Sequence, residues 1–374
     1  MSLAHFLLPF SLQASKDFNM STSNLQPNTQ SNTSTVPYIK TSLIEVTNRL
    51  PHKPPCRVFF KNESEQPSGS FKLRGIGYLV KQSIDKAKAE GVSLANIHVF
   101  ASSGGNAGLA AAYLAQFYNV KCTVVIPTIA KPIIQLKLKE YGARVILFGN
   151  SIYEADNYLK TLIDSAPDGI HSIYCHPFNN PEIWTGHSSL VDEVNQQLGS
   201  NKTNLRSMVC SFGGGGLYNG IYQGMVNNNI QGDILLIETA QAPTFRESIK
   251  AKSIITLENV NSLATSLACS YTTQQSLDYF HEKLAGIDTT LEVIDDLDAL
   301  RACVAYRRCC GKTVEPACGA ALSVCYDRID LLYKSLSHLQ QDDILVIVVC
   351  GGSCTTDSDL KHYEMAIRKA ESRL

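Results

Sequence analysis

IHVFASSGGNAG (97–108) decides how this chain folds. Residues 97–101 have the apolar, branched character of a buried strand, and the pattern changes to a helical one over 106–118. Between them lies a turn made only of serine and glycine. A strand that feeds a helix through such a turn is one half of a βαβ unit, and a series of them builds a parallel sheet with right-handed crossovers.

The same alternation extends in both directions. Upstream, RVFFK (57–61) reads as a strand, and a helix over 70–90 stops at Gly91. Downstream come CTVVI (122–126), ended by Pro127, and a helix over 131–141. RVILF (144–148) and helices over 152–165 and 181–198 follow. The second half repeats the rhythm with SMVCSF (207–212), a helix over 216–226 and DILLIET (233–239). Helices are then expected around 245–251, 274–285, 296–310 and 317–333. DILVIVVC (343–350) is apolar without a break, as a strand buried on both faces must be; a last helix ends the chain. The expected fold class is α/β, with mostly parallel open sheets flanked by helices. In such sheets ligands sit beyond the carboxyl ends of the strands.

Composition narrows the function. The chain has 374 residues, long enough for two domains sharing a cleft. Its 33 Lys plus Arg balance 34 Asp plus Glu, so no nucleic-acid partner is expected. No apolar run approaches the ~20 residues that span a bilayer. Residues 13–36 are rich in Ser, Thr, Asn and Gln, and residues 1–35 read as a disordered leader. The leader has no arginine, which argues against mitochondrial import, and the expected compartment is the cytoplasm. Twelve cysteines occur without a C-x-x-C pair or a convincing secretory signal. They read as reduced, mostly buried thiols rather than disulfides or a zinc site.

Three strand-end loops carry glycine and serine: SSGGNAG (102–108), GGGGL (213–217) and CGGS (350–353). A fourth segment, SGSFK (68–72), leads into a helix. GGGGL has the form of an anion cup, with converging backbone N–H groups and a helix N-terminus behind them. Its rival reading is a dinucleotide loop, with Glu238 at the end of the next strand as the ribose acid. GxGxxG fails, because counting from Gly213 puts Tyr218 at the third glycine position, and no Walker lysine follows. In SSGGNAG, Ser102, Ser103 and the free N–H groups suit a carboxylate, although such residues more often only cap the helix. A lone lysine is usually solvated. Lys72 stands out because Phe71 and an almost uncharged segment precede it, and a desolvated amine can condense with an aldehyde. His176 and His187 read as structural hydrogen-bonding residues.

QPSGSFKLRGIG (66–77), SSGGNAG, GHSSLVDE (186–193), GGGGLYNGI (213–221), VEPACGAAL (314–322) and CGGS, in this order, resemble the fold-type II pyridoxal-phosphate enzymes, and among them the eukaryotic serine/threonine dehydratases. The resemblance implies a large domain of residues 36–70 and 181–374, a small domain of 71–180, and pyridoxal 5'-phosphate in the cleft between them. It implies Lys72 as the catalytic lysine that holds the cofactor, with Phe71 on one ring face and Ser266 on the other. Asn106 would bond the ring hydroxyl oxygen, Gly213, Gly214, Gly215, Gly216 and Leu217 the phosphate, and Cys350 the pyridine nitrogen. Ser102, Ser103, Gly104 and Asn106 would receive the substrate carboxylate. A monovalent cation such as K+ would sit at Gly213, Glu238, Ala242, Leu267 and Cys269. Ser266 and Gly104 stand where the liver serine dehydratase has alanine.

The implied reaction is β-elimination from L-serine and L-threonine, by a homodimer whose only other partner is its amino-acid substrate. The alternatives are a serine racemase-like or other fold-type II reaction, a non-catalytic cofactor binder, and, outside the family, a NAD-dependent oxidoreductase.

Overall fold

The structure, a computed structural model, describes residues 36–372. The leader expected at 1–35 lies outside the described residues. In chain order the first strands are β1 (Leu43–Glu45), β2 (Arg57–Asn62), β3 (Ile97–Ala101), β4 (Lys121–Ile126) and β5 (Arg144–Leu147). They are followed by β6 (His171–Tyr174), β7 (Leu205–Ser211), β8 (Gly232–Thr239), β9 (Ile287–Ile294) and β10 (Ile344–Val349). Two sheets result. One has the order β1-β2-β10-β7-β8-β9, the other β5-β4-β3-β6, and every pairing is parallel except β1 with β2. The expected α/β architecture is the observed one.

The helices are α1 (Lys72–Ala89), α2 (Asn106–Tyr118), α3 (Pro132–Glu140), α4 (Ile152–Asp164), α5 (Pro181–Leu198) and α6 (Gly216–Asn227). Next come α7 (Thr244–Ala251), α8 (Gln274–Glu282), α9 (Asp296–Cys310), α10 (Pro316–Leu322), α11 (Asp330–Ser335) and α12 (Asp357–Glu371). β10 is buried at all six positions, between β2 and β7, as its unbroken apolar run requires.

Three strands have no strong signature in the sequence. β1, β6 and β9 each lie at a sheet edge and keep partly or fully exposed residues, so the apolar pattern that marks a buried strand is diluted there. The helix expected over 317–333 is interrupted. The N–H groups of Tyr326 and Arg328 both turn back onto the Ser323 carbonyl, ending one helical segment before α11 begins.

Close helix crossings account for glycines in GHSSLVDE and in the helix that follows GGGGL. A Cβ at Gly186 of α5 would stand 2.5 Å from the Arg74 carbonyl and 2.7 Å from the Gly75 Cα of α1. α6 approaches α5 in the same manner: a Cβ at Gly224 would lie 2.6 Å from the Val191 side chain, and one at Gly220 would overlap His187. Small residues let these backbones meet, and the crossings fix the N-termini of α1 and α6, where the chemistry gathers.

Candidate active site

The lysine segment is stitched to the loop that follows β10. Ser70 bridges Gly351 in antiparallel fashion, Gly352 N donates to Gly69 O at 3.0 Å, and Phe71 N donates to Cys350 O at 3.2 Å. Gly69 (φ 82°), Gly351 (φ 100°) and Gly352 (φ 121°) all use left-handed backbone that disfavours other residues. This junction delivers Lys72 as the first residue of α1. Its Nζ donates to the Pro177 carbonyl at 2.5 Å. Lys72 is half-buried: it lies deep among protein atoms but keeps a face open to the cleft. Burial lowers the proton affinity of the amine, opposed by the nearby Cys269, Glu315 and Cys350. The Phe71 ring leans on His187 at 4.9 Å.

The glycine loop is packed from behind. A Cβ at Gly214 would overlap the Phe178 ring, one at Gly215 (φ 93°) the Ser276 hydroxyl, and one at Gly216 would lie 3.0 Å from the Phe178 carbonyl oxygen. Gly213 rests on Leu267, and Leu217 is buried in the first turn of α6. Phe178 is itself held: its carbonyl accepts from Trp184 Nε1 at 2.7 Å, and its N–H donates to His176 Nδ1 at 3.2 Å. His176 Nδ1 also accepts from Asn179 N at 2.8 Å, so the ring proton lies on Nε2, 3.0 Å from the Tyr271 hydroxyl. Burial pushes His176 down to about 4 and keeps it neutral. His187 departs from expectation: it is fully buried against glycines of α1 and α6, and neither ring nitrogen has a partner.

In the SSGGNAG loop, Ser102 turns its hydroxyl to Asp156 of α4 at 2.6 Å, a carboxylate that also accepts from Tyr174 and pairs with Lys160. Ser103 Oγ accepts from Gly105 N at 3.2 Å, and a Cβ at Gly104 would meet Ala130 and Ile126 at an ordinary 3.6 Å. Asn106, buried at the start of α2, donates from Nδ2 to Glu315 Oε1 at 2.6 Å, while its Oδ1 has no partner. Ser266 Oγ donates to the other Glu315 oxygen at 3.1 Å. Hydrogen bonding with Cys318, together with burial, raises the Cys350 thiol well above its ordinary value, so it is neutral.

Glu238 is buried, and both carboxylate oxygens accept backbone N–H groups at the start of α7, from Phe245 at 2.7 Å and Arg246 at 3.0 Å. Burial pushes its carboxyl up to about 7 against those bonds. The Cys269 carbonyl accepts from Thr244 Oγ1 at 2.6 Å, the Leu267 carbonyl from Cys269 N at 2.7 Å, and Ala242 is buried in the turn before α7. All twelve cysteines are free thiols.

Sequence reasoning missed Glu315, Pro177 and Phe178. The first was visible in VEPACGAAL and the others in CHPFNNPEIWTGH, but nothing local says that Glu315 and Pro177 approach Lys72 or that Phe178 packs on the glycine loop.

The residues fit pyridoxal phosphate. An aldehyde needs an amine of lowered proton affinity, and a phosphate needs converging N–H groups with no side chain over them. The ring edge needs a polar partner, and Asn106 is a buried polar side chain at the start of α2, its amide NH2 shared with Glu315. Together the fold and the site define an α/β enzyme built around a cofactor aldehyde and its phosphate.

Comparison with known proteins gives the family. The family described as pyridoxal-phosphate dependent enzyme matches residues 35–351. An L-serine dehydratase of Saccharomyces cerevisiae (strain RM11-1a) is 41% identical over 310 residues, which is 81% of this chain and 90% of that protein. The catabolic L-serine/threonine dehydratase of S. cerevisiae (strain ATCC 204508 / S288c) is 40% identical over 342 residues, 90% of this chain and 93% of that one. A fungal L-serine ammonia-lyase from Rhizomucor miehei superposes with a TM-score of 0.77 at 28% identity, over 88% of this chain and 99% of that one. The chain belongs to the fold-type II pyridoxal-phosphate-dependent enzymes and is closely related to the eukaryotic L-serine/threonine dehydratases.

Proposed function

We propose that the protein is an L-serine/L-threonine ammonia-lyase, converting L-serine to pyruvate and ammonia and L-threonine to 2-oxobutanoate and ammonia. The observation that carries this reading is the Lys72 amine, half-buried at the head of α1, in the electrostatic reach of a neutral Cys350. Bound pyridoxal phosphate supplies an electron sink for the pair released at the substrate α-carbon. The chain's own residues do the rest. Gly213–Leu217 grip the phosphate through backbone N–H groups. Ser103 and the N-terminus of α2 receive the substrate carboxylate, while Ser102 is held by Asp156 and acts on the shape of the loop. Lys72 Nζ, its proton affinity lowered by burial, takes the α-proton. Cys350 places no negative charge at the pyridine nitrogen, which favours prompt loss of the β-hydroxyl over reprotonation at the α-carbon. Water leaves the substrate, and water returns when the released enamine product hydrolyses, so the net change is one ammonia per amino acid.

Lys72→Ala is expected to stay folded and to lose pyruvate formation from L-serine by at least about 10³-fold, with no cofactor–lysine bond trapped by borohydride. A borohydride-labelled lysine other than Lys72 in the native protein sinks the assignment. Chiral analysis of residual serine separates elimination from racemisation: D-serine as the main product overturns the reading. The reading includes a K+ site at Gly213, Glu238, Ala242, Leu267 and Cys269. Activity is expected to rise when K+ replaces a bulky organic cation, and Glu238→Ala to lose that response. The reading includes a cytoplasmic homodimer, checked by sedimentation and by imaging of the tagged full chain.

A further inference from the structure

We propose that Asp156 is a positioning residue: one of its carboxylate oxygens ties the exits of β3 and β6 together and so sets the spacing between the loop that receives the substrate carboxylate and the turn that holds Lys72. This role rests on the proposed use of SSGGNAG as the substrate loop and adds the group that fixes that loop's place.

β3 and β6 lie side by side, with Phe100 opposite Tyr174 and Cys175 N donating to the Phe100 carbonyl at 2.8 Å. The two strands end there. β3 continues through Ser102 into SSGGNAG. β6 continues from Tyr174 into the turn whose Pro177 carbonyl accepts from Lys72 Nζ and whose Phe178 backs the glycine loop. Each half of the site thus hangs from one strand, at the point where the ladder that aligned the strands has stopped. Asp156 takes over from the ladder. Ser102 Oγ and the Tyr174 hydroxyl both donate to the same oxygen, Oδ1, each at 2.6 Å.

That oxygen is held from behind. Asp156 belongs to α4, which connects β5 at one edge of the smaller sheet to β6 at the other. Ala155 and Leu159 seat the helix, fully buried against Phe100 and Val125. The side chain beside Ala155 is therefore a fixed point rather than one that follows a drifting loop. Lys160 pairs with Oδ2 at 2.7 Å, but its side chain is 54% exposed and the pair adds little. Against the burial that would raise it, the bonds from Lys160, Ser102 and Tyr174 hold the carboxyl below its usual value and keep it ionised near neutral pH.

The test compares Asp156→Ala with Asp156→Asn in the full chain with its cofactor bound. Because both hydroxyls use one oxygen, an asparagine with Oδ1 in that place keeps both bonds and loses only the charge. Alanine loses both bonds. Hydrogen exchange is followed in peptides covering 101–106 and 174–179. Asp156→Ala should exchange about tenfold faster in both, and Asp156→Asn within about twofold of native. In parallel, kcat/KM should fall about tenfold in Asp156→Ala and stay within about twofold in Asp156→Asn. The factor should be common to L-serine and L-threonine, which share the carboxylate, and the cofactor's visible absorbance should stay native. If Asp156→Ala does not fold, Ser102→Ala combined with Tyr174→Phe removes the two donors instead, with the same expectations. Equal changes in Asp156→Asn and Asp156→Ala would make the effect one of charge. Native exchange at either strand exit in Asp156→Ala would show that no tie was broken. Either result overturns the proposal. Native protein that forms no 2-oxo acid from either substrate defeats the proposed elimination instead, and the exchange comparison then decides the role of Asp156 alone.

Discussion

The two glycine loops that frame the cleft look alike in sequence and are built differently. In GGGGL, glycines 214, 215 and 216 each have a neighbour where a side chain would go, and the loop is rigid because Phe178 and Ser276 press on it. In SSGGNAG only Gly108 is so confined, lying against the Ser103 carbonyl, while a Cβ at Gly104 or Gly105 would meet its nearest atoms only at ordinary contact distance, 3.6 and 3.7 Å. Glycine is required by close packing in the first loop, whereas at Gly104 and Gly105 of the second a small side chain would fit in ordinary contact. The difference suits the proposed division of labour, in which the first loop holds a phosphate with fixed N–H groups and the second receives a substrate.

The sharpest way to break this contrast is Gly214→Ala. Its methyl would strike the Phe178 ring, and the variant should lose roughly 1–3 kcal/mol of stability by overpacking, along with most of its cofactor retention. Chemical denaturation and the ratio of visible to protein absorbance would show both; a variant with native stability and full cofactor would mean the loop is not tightly packed.

A smaller effect is expected at the turn behind that loop. Burial holds His176 neutral, lowered to about 4, while in the unfolded chain it titrates near 6.5. The folded state therefore has the full benefit of a neutral His176 above pH 6.5 and loses it as pH falls toward 4. Denaturation at stepped pH should reveal up to about 2 kcal/mol of acid-dependent loss from this group, absent in His176→Gln. An identical slope in the variant would show that the turn is not tuned in this way.

Gly104→Ala should do least to the fold, within about ±0.5 kcal/mol, because the nearest atoms to the added methyl stand in ordinary contact at 3.6 Å. Its effect should fall instead on the KM for L-serine relative to L-threonine, measured side by side. Strong destabilisation would erase the distinction between the loops.

What the sequence makes legible follows from the same physics. β10 and the loops after β3, β7 and β10 announce themselves because deep burial and tight turns restrict residue type. β1, β6 and β9 do not: at sheet edges their partly exposed positions dilute the apolar pattern, whereas β5, also at an edge, keeps a branched apolar run that marks it. In the site, Lys72 and the glycine loop are legible by local pattern. Glu315 is not: its meaning lies in Asn106 and Ser266, which are distant in sequence and reach it only through the fold. Ser102 shows the opposite limit, since its loop position suggests the cleft and its hydroxyl goes to Asp156.

β10, which separates β2 from β7, is also the last of the described strands in chain order. Until it emerges from the ribosome, β2 and β7 have no common neighbour, and the lysine segment has no Gly351 to bridge. The nascent chain thus carries Lys72 through nearly its whole synthesis without a finished place to put it. Cofactor capture becomes a late event that reports completion of the larger sheet, and a chain cut short before residue 344 should emerge from translation colourless however well its smaller sheet has folded.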